Sequence, residues 1–526
     1  MASAKSLTAT TLHSMSWSTA ATVVTAVLQL GYTGVMARLL APAAFGLVAL
    51  AGVVIRFGTY FSQIGLEQAL VQKPDMGEED VRAAFTSGVL LGGLCALALV
   101  VGAPLARLVF DEPAVVPLVR LMGLGLLFNG LSATALSILR REMAFRTLAL
   151  IETGAYVLSY GGLGIGLAWR GWGVWSLVAA SLGQSLLVGV LAYAATRHSV
   201  RLYFRWAHYR PLLAYGTRIS LTSFIEFITS SLDTLLIGRL LGAALLGIYN
   251  RASMLITLPL YLLTRSVSRV IFPAFSQVQA DRTKLSSVYL GSITLVAAGI
   301  LPLGAGVAVA APMLVRAVLG PGWDAAVPVL RILCAAVPLS LITMFAGIVC
   351  DARAALAAKI NANLLALGSL LVFIILLRGY GLTGFAGALV LNELVRTALF
   401  VRLMHHELAL PYPRLLAAYG PGLFHAGALS IGLGLLHLAL RPLGWPAPAV
   451  LALLMLAGAV LLALLGLLRP RPALREELQR FLGRLRPGDA TGPGARALAG
   501  YLRFLERQAP LPSYAPSFAP PSSLQP

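Results

Sequence analysis

The apolar residues of this chain are gathered into long runs that short charged segments separate. A helix needs about 20 apolar residues to cross a bilayer, because every backbone polar group must be satisfied within the segment. The pattern therefore predicts an all-α polytopic membrane protein with about 14 transmembrane helices. The predicted runs lie near residues 15–37, 44–67, 83–106, 116–139, 150–169, 172–196, 216–238, 246–276, 286–312, 326–350, 359–377, 382–404, 415–440 and 446–468.

Composition supports the same class of protein. Of the 526 residues, 58% are apolar and 11% are charged, whereas about 25% of an ordinary soluble domain is charged. A soluble fold could not cover so much apolar surface with so few charges. Composition thus excludes a soluble enzyme, a nucleic-acid-binding module and a disordered chain.

The formal charge of +20 follows the predicted topology. With the N-terminus in the cytoplasm, the inner segments before the tail carry 16 Lys and Arg and the outer loops carry 7. The tail from Arg469 onward adds nine more on the inner side. Positive residues concentrate on the cytoplasmic side of membrane proteins. We therefore expect both termini in the cytoplasm and no nucleic-acid partner.

Two internal matches relate the first half of the chain to the second. Residues 38–46 (RLLAPAAFG) match residues 239–247 (RLLGAALLG) at an offset of 201. Residues 170–174 (RGWGV) match residues 378–382 (RGYGL) at an offset of 208. Each half holds six predicted spans, so both halves insert with the same orientation. We expect two pseudo-symmetric six-helix lobes around a central cavity, which is the architecture of an alternating-access transporter.

The repeat divides the chain into five predicted parts. A linker at 197–215 is basic and aromatic, which favours an interfacial helix on the cytoplasmic face. The tail begins with a basic stretch and ends in a Pro-, Ser- and Ala-rich piece that we predict to be largely disordered. The parts are the N-terminal lobe (1–196), the linker (197–215), the C-terminal lobe (216–404), two extra helices (405–468) and the tail (469–526).

Motifs for enzymatic chemistry are missing from the sequence. No Gly-Lys dipeptide occurs, which excludes a Walker A loop. Residues 379–384 match GxGxxG, but no strand precedes them, so a tight turn between membrane helices is the interpretation. His405 and His406 lack the spacing of a zinc site. We predict a protein that is not an enzyme and that uses no cofactor or metal.

Arginines inside the apolar runs are the candidate substrate site. A charge near the bilayer centre costs about 2.5–3.5 kcal/mol on insertion scales, so it needs a partner or a wet cavity. Arg56 lies at the centre of the second run with no acid of its own helix one turn away, which favours a cavity wall. Guanidinium groups match phosphate oxygens, so the surplus of arginine favours an anionic substrate. The candidates are Arg56, Arg251, Arg265 and Arg269, although the last two could also reach the inner headgroups.

Two acids of the seventh run are candidates for ion coupling. Glu226 and Asp233 are seven residues apart and so share one helix face. They could bind a coupling cation or form ion pairs with arginines of the second or eighth run. Glu393 and Arg396, three residues apart, are interpreted as a structural pair within one helix.

Residues 36–72 (MARLLAPAAFGLVALAGVVIRFGTYFSQIGLEQALVQ), with the repeated RLL and RG[WY]G steps, resemble Wzx-type flippases of polysaccharides and lipid-linked oligosaccharides. These belong to the multidrug/oligosaccharidyl-lipid/polysaccharide exporter superfamily. The resemblance covers about residues 1–468. It implies two six-helix lobes with two extra helices, and transport of undecaprenyl-pyrophosphate-linked oligosaccharide across the bacterial inner membrane for exopolysaccharide, capsule or O-antigen export.

The same resemblance implies roles and partners. Arg56 and Arg251 are the positions matched to arginines that engage the pyrophosphate. The implied partners are membrane lipids, a coupling cation (H⁺ or Na⁺), a polysaccharide polymerase and glycosyltransferases.

Three alternatives remain open at the level of sequence. A multidrug/cation antiporter of the same superfamily should show acids dominating the cavity. A lipid II flippase shares the same physics and differs in its headgroup. A non-transporting membrane scaffold for polysaccharide assembly would show no alternating access.

Overall fold

The computed structural model describes residues 22–63, 77–204, 231–261, 281–353 and 355–468, and isolated helical positions at 275, 278, 474, 475 and 478. Within these residues the chain is helical and contains no strand. Six helices form the first lobe: α1 (22–39), α2 (Pro42–Gln63), α3 (Glu78–Val109), α4 (Val115–Arg141), α5 (Phe145–Trp169) and α6 (Val174–Thr196).

The six helices of the second lobe and the two extra helices follow along the chain. They are α7 (231–241), α8 (243–261), α9 (Arg282–Val318), α10 (Ala326–Ala352), α11 (Leu356–Leu377), α12 (Gly381–Leu408), α13 (Gly420–Leu440) and α14 (Ala447–Ala463). In each lobe the third, fourth and sixth helices form the packed centre, and α13 and α14 pack against α9. The all-α architecture is confirmed.

The segment Ser231–Tyr261 consists of two helices, α7 and α8, which form a hairpin. Gly242 has a φ of +81°, which no right-handed helix contains. The hydroxyl of Tyr249 donates a 2.5 Å hydrogen bond to the carboxylate of Asp233, 16 residues earlier. A straight helix would separate these residues by about 24 Å. The chain therefore reverses at Gly242.

Eleven described helical segments are long and apolar enough to cross a membrane. The predicted number of about fourteen is close to this count but is not reached within the described residues. Segments Ser231–Tyr261 and Leu356–Leu408 each join two predicted runs. The start of the first predicted run, 15–21, lies outside the described residues.

Helix α9 shows how local sequence sets a membrane helix. The side chain of Asp281 accepts hydrogen bonds from the backbone N–H groups of Thr283 and Lys284, both at 3.0 Å, and so caps the first turn. The helix then runs for 37 residues and contains Pro302 and Pro312. At 1.5 Å per residue it is about 55 Å long, so it must protrude from or tilt within a bilayer.

The second internal match is visible in the backbone. Gly173 begins α6 with φ +54° and ψ −131°. Its counterpart Gly381 begins α12 with φ +60° and ψ −140°. These conformations favour glycine because a Cβ would clash there. The predicted turn at 379–384 is thus the structural equivalent of the turn between α5 and α6.

The predicted interfacial helix is wrong over residues 197–204. These residues form no helix, because α6 ends at Arg197 in a left-handed conformation (φ 45°). They instead form a strap across α3: Arg82 donates to the Ser199 hydroxyl at 3.1 Å, and the N–H of Tyr203 donates to the Thr86 hydroxyl at 2.9 Å. Most of the predicted linker (205–215) and nearly all of the predicted tail (469–526) lie outside the described residues.

Candidate functional site

The two copies of the first repeated segment contact each other. A Cβ placed on Gly46 would overlap the carbonyl oxygen of Ala243, and a Cβ on Gly247 would overlap that of Pro42. At the offset of 201, Gly46 corresponds to Gly247 and Pro42 to Ala243. Each lobe therefore makes the same contact to its partner, which is the signature of a two-fold interface. The predicted pseudo-two-fold relation between the lobes has a direct structural counterpart here.

The arginines that open the two repeats also reach across to the opposite lobe. Arg38 donates to the carbonyl oxygens of Val318 at 2.6 Å and Ala317 at 2.8 Å, at the end of α9. Its repeat counterpart Arg239 forms a 2.6 Å ion pair with Asp111, just beyond the end of α3. Helices α3 and α9 are the third helices of their lobes. Each lobe therefore uses its repeated arginine to contact the carboxyl-terminal end of the third helix of the other lobe.

Further contacts complete this end of the molecule. The indole N–H of Trp323 donates to the carbonyl oxygen of Ala37 at 2.9 Å. The rings of Phe45 and Trp323 meet edge to face at 5.7 Å. We call the set of Arg38, Pro42, Gly46, Asp111, Arg239, Gly247 and Trp323 the closed end. By the charge pattern of the loops it is the predicted outer end.

Arg251 projects from the second lobe into the first, one turn below the closed end. Its guanidinium carbon lies 4.7 Å from the centre of the Phe45 ring, and one of its terminal nitrogens is 3.5 Å from the Thr33 hydroxyl. Its Nε is buried and has no hydrogen-bond partner. No described acid forms an ion pair with Arg251. A buried guanidinium with spare donors and no carboxylate is suited to an anionic ligand.

Three tyrosines that the sequence analysis missed lie beside Arg251. Tyr156 and Tyr160 stack at 4.6 Å between ring centres, and Tyr32 meets Tyr160 edge on at 4.9 Å. The hydroxyl of Tyr32 is buried without a hydrogen-bond partner. Tyr160 belongs to a π-helical segment of α5, Val157–Gly164. Such segments often occur at functional sites, and the Tyr156/Tyr160 spacing of four residues was the available signal.

Arg56 is exposed, and its one hydrogen bond among the described residues runs from Nε to the carbonyl oxygen of Gly52 in its own helix at 3.4 Å. It follows Phe45 by 11 residues, close to three turns of 3.6 residues, so both side chains point in nearly the same direction. Phe45 contacts Arg251 and Trp323 of the second lobe. The opposite face of α2 packs within its own lobe, where Gly58 approaches Leu126. By this helix phase Arg56 lies on the side of α2 from which Phe45 contacts the second lobe.

The acids proposed for coupling are only partly described. Asp233 accepts hydrogen bonds from the Tyr249 hydroxyl at 2.5 Å and the Thr234 N–H at 2.6 Å. It forms no ion pair with a described arginine. Glu226, Arg265 and Arg269 lie outside the described residues. Glu393 and Arg396 form the predicted pair within α12, with 3.4 Å between Oε1 and Nε.

The fold of the described residues is similar to that of solved membrane transporters. The chain is similar to the structure of the lipid II flippase MurJ in an inward closed conformation, with a TM-score of 0.66 at 16% identity. The likeness covers 85% of this chain and 97% of that one. It is also similar to an inward-facing multidrug resistance MATE transporter of the MOP superfamily, with a TM-score of 0.55 at 17% identity over 76% of this chain and 93% of that one. These likenesses confirm the predicted fold.

The chain belongs to the polysaccharide biosynthesis protein family Polysacc_synt_3, whose model matches residues 35–328. It is 26% identical to the lipopolysaccharide biosynthesis protein WzxC of Escherichia coli, over 62% of this chain and 67% of that protein. It is 29% identical to the succinoglycan biosynthesis transport protein ExoT of Rhizobium meliloti, over 62% and 65%.

A third relative is the teichuronic acid biosynthesis protein TuaB of Bacillus subtilis, 28% identical over 52% of this chain and 58% of that protein. The matches thus span between 58% and 67% of these relatives' own lengths. The predicted kinship with polysaccharide flippases is confirmed, and the chain is a multi-pass membrane protein.

Proposed function

We propose that this chain flips a lipid-linked polysaccharide precursor across the bacterial inner membrane by alternating access. The observation that carries the proposal is the buried guanidinium of Arg251. It lies between two repeat-related lobes, below an end where they touch, and no described acid pairs with it. Arg56 adds a second guanidinium on the facing helix. This arrangement supports binding of a pyrophosphate between the lobes.

The substrate of the proposal is an undecaprenyl-pyrophosphate-linked oligosaccharide, for exopolysaccharide, capsule or O-antigen export. Names of the relatives support this, because they are described as lipopolysaccharide biosynthesis and succinoglycan biosynthesis transport proteins. The pyrophosphate and sugars enter between the lobes while the polyprenyl chain stays in lipid. Rocking of the lobes then parts the closed end and exposes the headgroup to the other side.

The proposal also covers the topology of the chain, the energy source of transport and the protein partners. We place both termini in the cytoplasm, from the charge of the loops. A cation, H⁺ or Na⁺, is proposed to couple to transport through Asp233 and Glu226. A polysaccharide polymerase and glycosyltransferases are the expected partners, since they would consume and supply the substrate.

The proposal is tested by deleting the gene and locating the substrate. We expect lipid-linked oligosaccharide to accumulate on the cytoplasmic leaflet. In inside-out membrane vesicles this leaflet faces outward, so a glycosidase added to the outside can trim the oligosaccharide. Re-expression of the chain should return the substrate to the periplasmic leaflet. Accumulation of lipid II instead would assign the chain to peptidoglycan synthesis, and an unchanged distribution of both lipids would contradict flipping.

A further inference from the structure

A ring of contacts joins the two lobes at the closed end, and each of its links crosses from one lobe to the other. Thr33 of α1 meets Arg251 of α8, whose guanidinium carbon lies 4.7 Å from the centre of the Phe45 ring on α2. Phe45 meets Trp323 edge to face, and Trp323 donates to the carbonyl oxygen of Ala37. Ala37 follows Thr33 by four residues, about one turn of α1, so the ring of contacts is closed.

The ring is enclosed between the lobes. Thr33, Phe45 and Trp323 are each at most 4% exposed. When the lobes part at this end, the two aromatic rings separate and the buried indole N–H loses its acceptor, which is unfavourable. The ring of contacts therefore stabilises the closed end.

The Arg251 link differs from the others because its cation can exchange partners. Its hydrogen bonds are long, 3.5 Å to the Thr33 hydroxyl and 3.6 Å to the Met254 sulfur, and both use the nitrogen Nη1. Its Nε is buried and has no hydrogen-bond partner among the described residues. Arg251 as a whole remains partly exposed. Phosphate oxygens offer a guanidinium stronger, charge-assisted hydrogen bonds than a hydroxyl or a sulfur does.

The guanidinium of Arg251 must leave this place to bind a phosphate through two hydrogen bonds. A guanidinium presents two donor pairs, Nε with Nη2 and Nη1 with Nη2, and it binds phosphate best through one such pair. Here the first pair contains the buried Nε, and the second contains the Nη1 that is turned to Thr33 and Met254. Binding of a phosphate therefore competes with the contact to Phe45.

We propose that the contact between Arg251 and Phe45 is a latch of the closed end, which the pyrophosphate of the substrate releases. Phe45 is a positioning residue: it holds the cation on one side and packs against Trp323 on the other. When the anion draws Arg251 away, the closed end loses one of its links, so binding of the substrate favours opening. The identity of the anion rests on the proposed function, whereas the latch itself needs no ligand.

The first measurement tests the latch without a ligand. In the purified full chain without its native cysteines, Ala37→Cys is labelled with a water-soluble thiol reagent, and the rate reports opening of the closed end. We expect Arg251→Gln to raise this rate about fivefold and Phe45→Leu to raise it at least as much. The double variant should match Phe45→Leu, because the contact is already lost.

Two further variants serve as controls for this measurement. Phe45→Tyr keeps the aromatic ring and should label like the parent. Phe385→Leu is the matched control, since Phe385 is 2% exposed on α12 within the second lobe and lies outside the ring of contacts. It should leave the labelling rate unchanged.

The second measurement adds undecaprenyl pyrophosphate as the probe, with binding followed by native mass spectrometry. We expect the probe to raise the labelling rate of the parent several-fold. Phe45→Leu should still bind the probe but should show no further increase in labelling. Undecaprenol, which lacks the pyrophosphate, should have no effect on either chain.

The two measurements separate the latch from the proposed function. Additive effects of Phe45→Leu and Arg251→Gln, or no effect of either, would overturn the latch. Binding of the probe without faster labelling would overturn its release by the substrate. A parent that does not bind the probe would contradict the pyrophosphate site of the proposed function, and with it the release step, but not the latch.

A conservative variant keeps the test decisive if Phe45→Leu does not fold. Arg251→Lys retains a cation that can lie against the Phe45 ring. It should label more slowly than Arg251→Gln, and equal rates of these two variants would overturn the latch.

Discussion

At the scale of single residues, two glycines record how closely the lobes approach. Gly46 and Gly247 each lie where a Cβ would overlap a carbonyl oxygen of the other lobe. Backbone atoms cannot move aside as the end of a flexible side chain can. The identity of these residues is therefore a property of the interface between the lobes, and not of the helices that contain them.

Replacing Gly46 with Val should open the closed end. The added side chain overpacks the contact, which typically costs about 1–3 kcal/mol, so the balance should shift toward a state in which the lobes part there. A cysteine at Ala37, which is 5% exposed, should then react faster with a membrane-impermeant thiol reagent. Gly52→Val on the same helix is the control, because nothing lies within 4 Å of its Cβ. Equal labelling rates in Gly46→Val and the parent would contradict the predicted contact.

Arg56 and Arg251 should each be required for export. Arg56→Ala and Arg251→Gln each remove a guanidinium that we propose binds the pyrophosphate, so export should fall at least tenfold while the protein still folds and inserts. Surface polysaccharide of a complemented deletion strain gives the readout, with size-exclusion profiles as the folding check. Arg170→Ala, in the turn between α5 and α6, should retain activity. Full export in Arg56→Ala would remove that residue from the mechanism.

The sequence points to the candidate arginines more readily than to the tyrosines beside Arg251. Arg56 and Arg251 stand out as candidates in the sequence because an arginine inside an apolar run needs a partner or a wet cavity. Tyr156 and Tyr160 offer only their spacing of four residues as a signal, and Tyr32 offers none, because an aromatic residue in a membrane helix is compatible with lipid, core or cavity. Only the fold brings α1 and α5 together beside Arg251.

At the scale of elements, the two arginine contacts of the closed end differ in strength. They are the hydrogen bonds of Arg38 to the end of α9 and the ion pair of Arg239 with Asp111. Arg38 donates to three carbonyl oxygens, of Gly34, Ala317 and Val318, and two of these lie at the carboxyl end of α9, where a cation is favoured. The Arg239–Asp111 pair is 43% and 77% exposed. Exposed pairs contribute about 0–1 kcal/mol and are screened by salt.

We therefore expect mutations of these two contacts to change the thermal midpoint by different amounts. Arg38→Ala should lower the thermal midpoint of the purified chain more than Asp111→Asn does. The small effect of Asp111→Asn should vanish at 1 M salt, while that of Arg38→Ala should persist because backbone carbonyls are its partners. Equal effects of the two variants at low salt would contradict this ranking.

The strap at 197–204 predicts a pH dependence. His198 packs between Phe85 and Tyr193, with ring centres 5.5 Å and 5.4 Å away, and burial lowers its pKa below the ordinary value of 6.5. The folded state thus favours the neutral ring. Its contribution is complete above about pH 6.5 and is lost as the pH falls through the lowered pKa.

His198→Phe should keep the ring contacts and remove this titration. We expect the thermal midpoint of the parent to fall more than that of His198→Phe between pH 7.5 and pH 5. Parallel midpoints over this range would show that the strap does not depend on the neutral ring.

The helices could be predicted where the length of an apolar run determines the structure. The conformation of 197–204 could not, because tertiary contacts determine it. The apolar runs located the helices because a bilayer leaves few alternatives. The basic and aromatic composition of residues 197–215 predicts an interfacial helix, but the described part, 197–204, is not helical. Its hydrogen bonds to Arg82 and Thr86 of α3 favour an extended strap instead, and these tertiary contacts leave no mark on the local sequence.

At the scale of the whole molecule, a faint sequence repeat anticipated the relation between the lobes. Two short matches at offsets of 201 and 208 predicted two equivalent halves. The structure places the first match at a reciprocal contact and the second at two turns with nearly the same backbone angles. What the sequence could not reveal is that the halves touch at their own repeated segments, because a repeat does not specify its interface.

Reversible locking of the closed end tests the central claim most directly. In a chain with Cys95, Cys334 and Cys350 replaced, Leu50→Cys and Gly238→Cys would bridge the lobes, since Leu50 Cγ lies 3.4 Å from the Cβ position of Gly238. Gly58→Cys with Leu99→Cys is the matched pair within one lobe, at 3.6 Å. We predict that oxidation stops substrate flipping in proteoliposomes only for the interlobe pair, and that a reductant restores it. Undiminished flipping by the fully cross-linked interlobe pair would contradict the account.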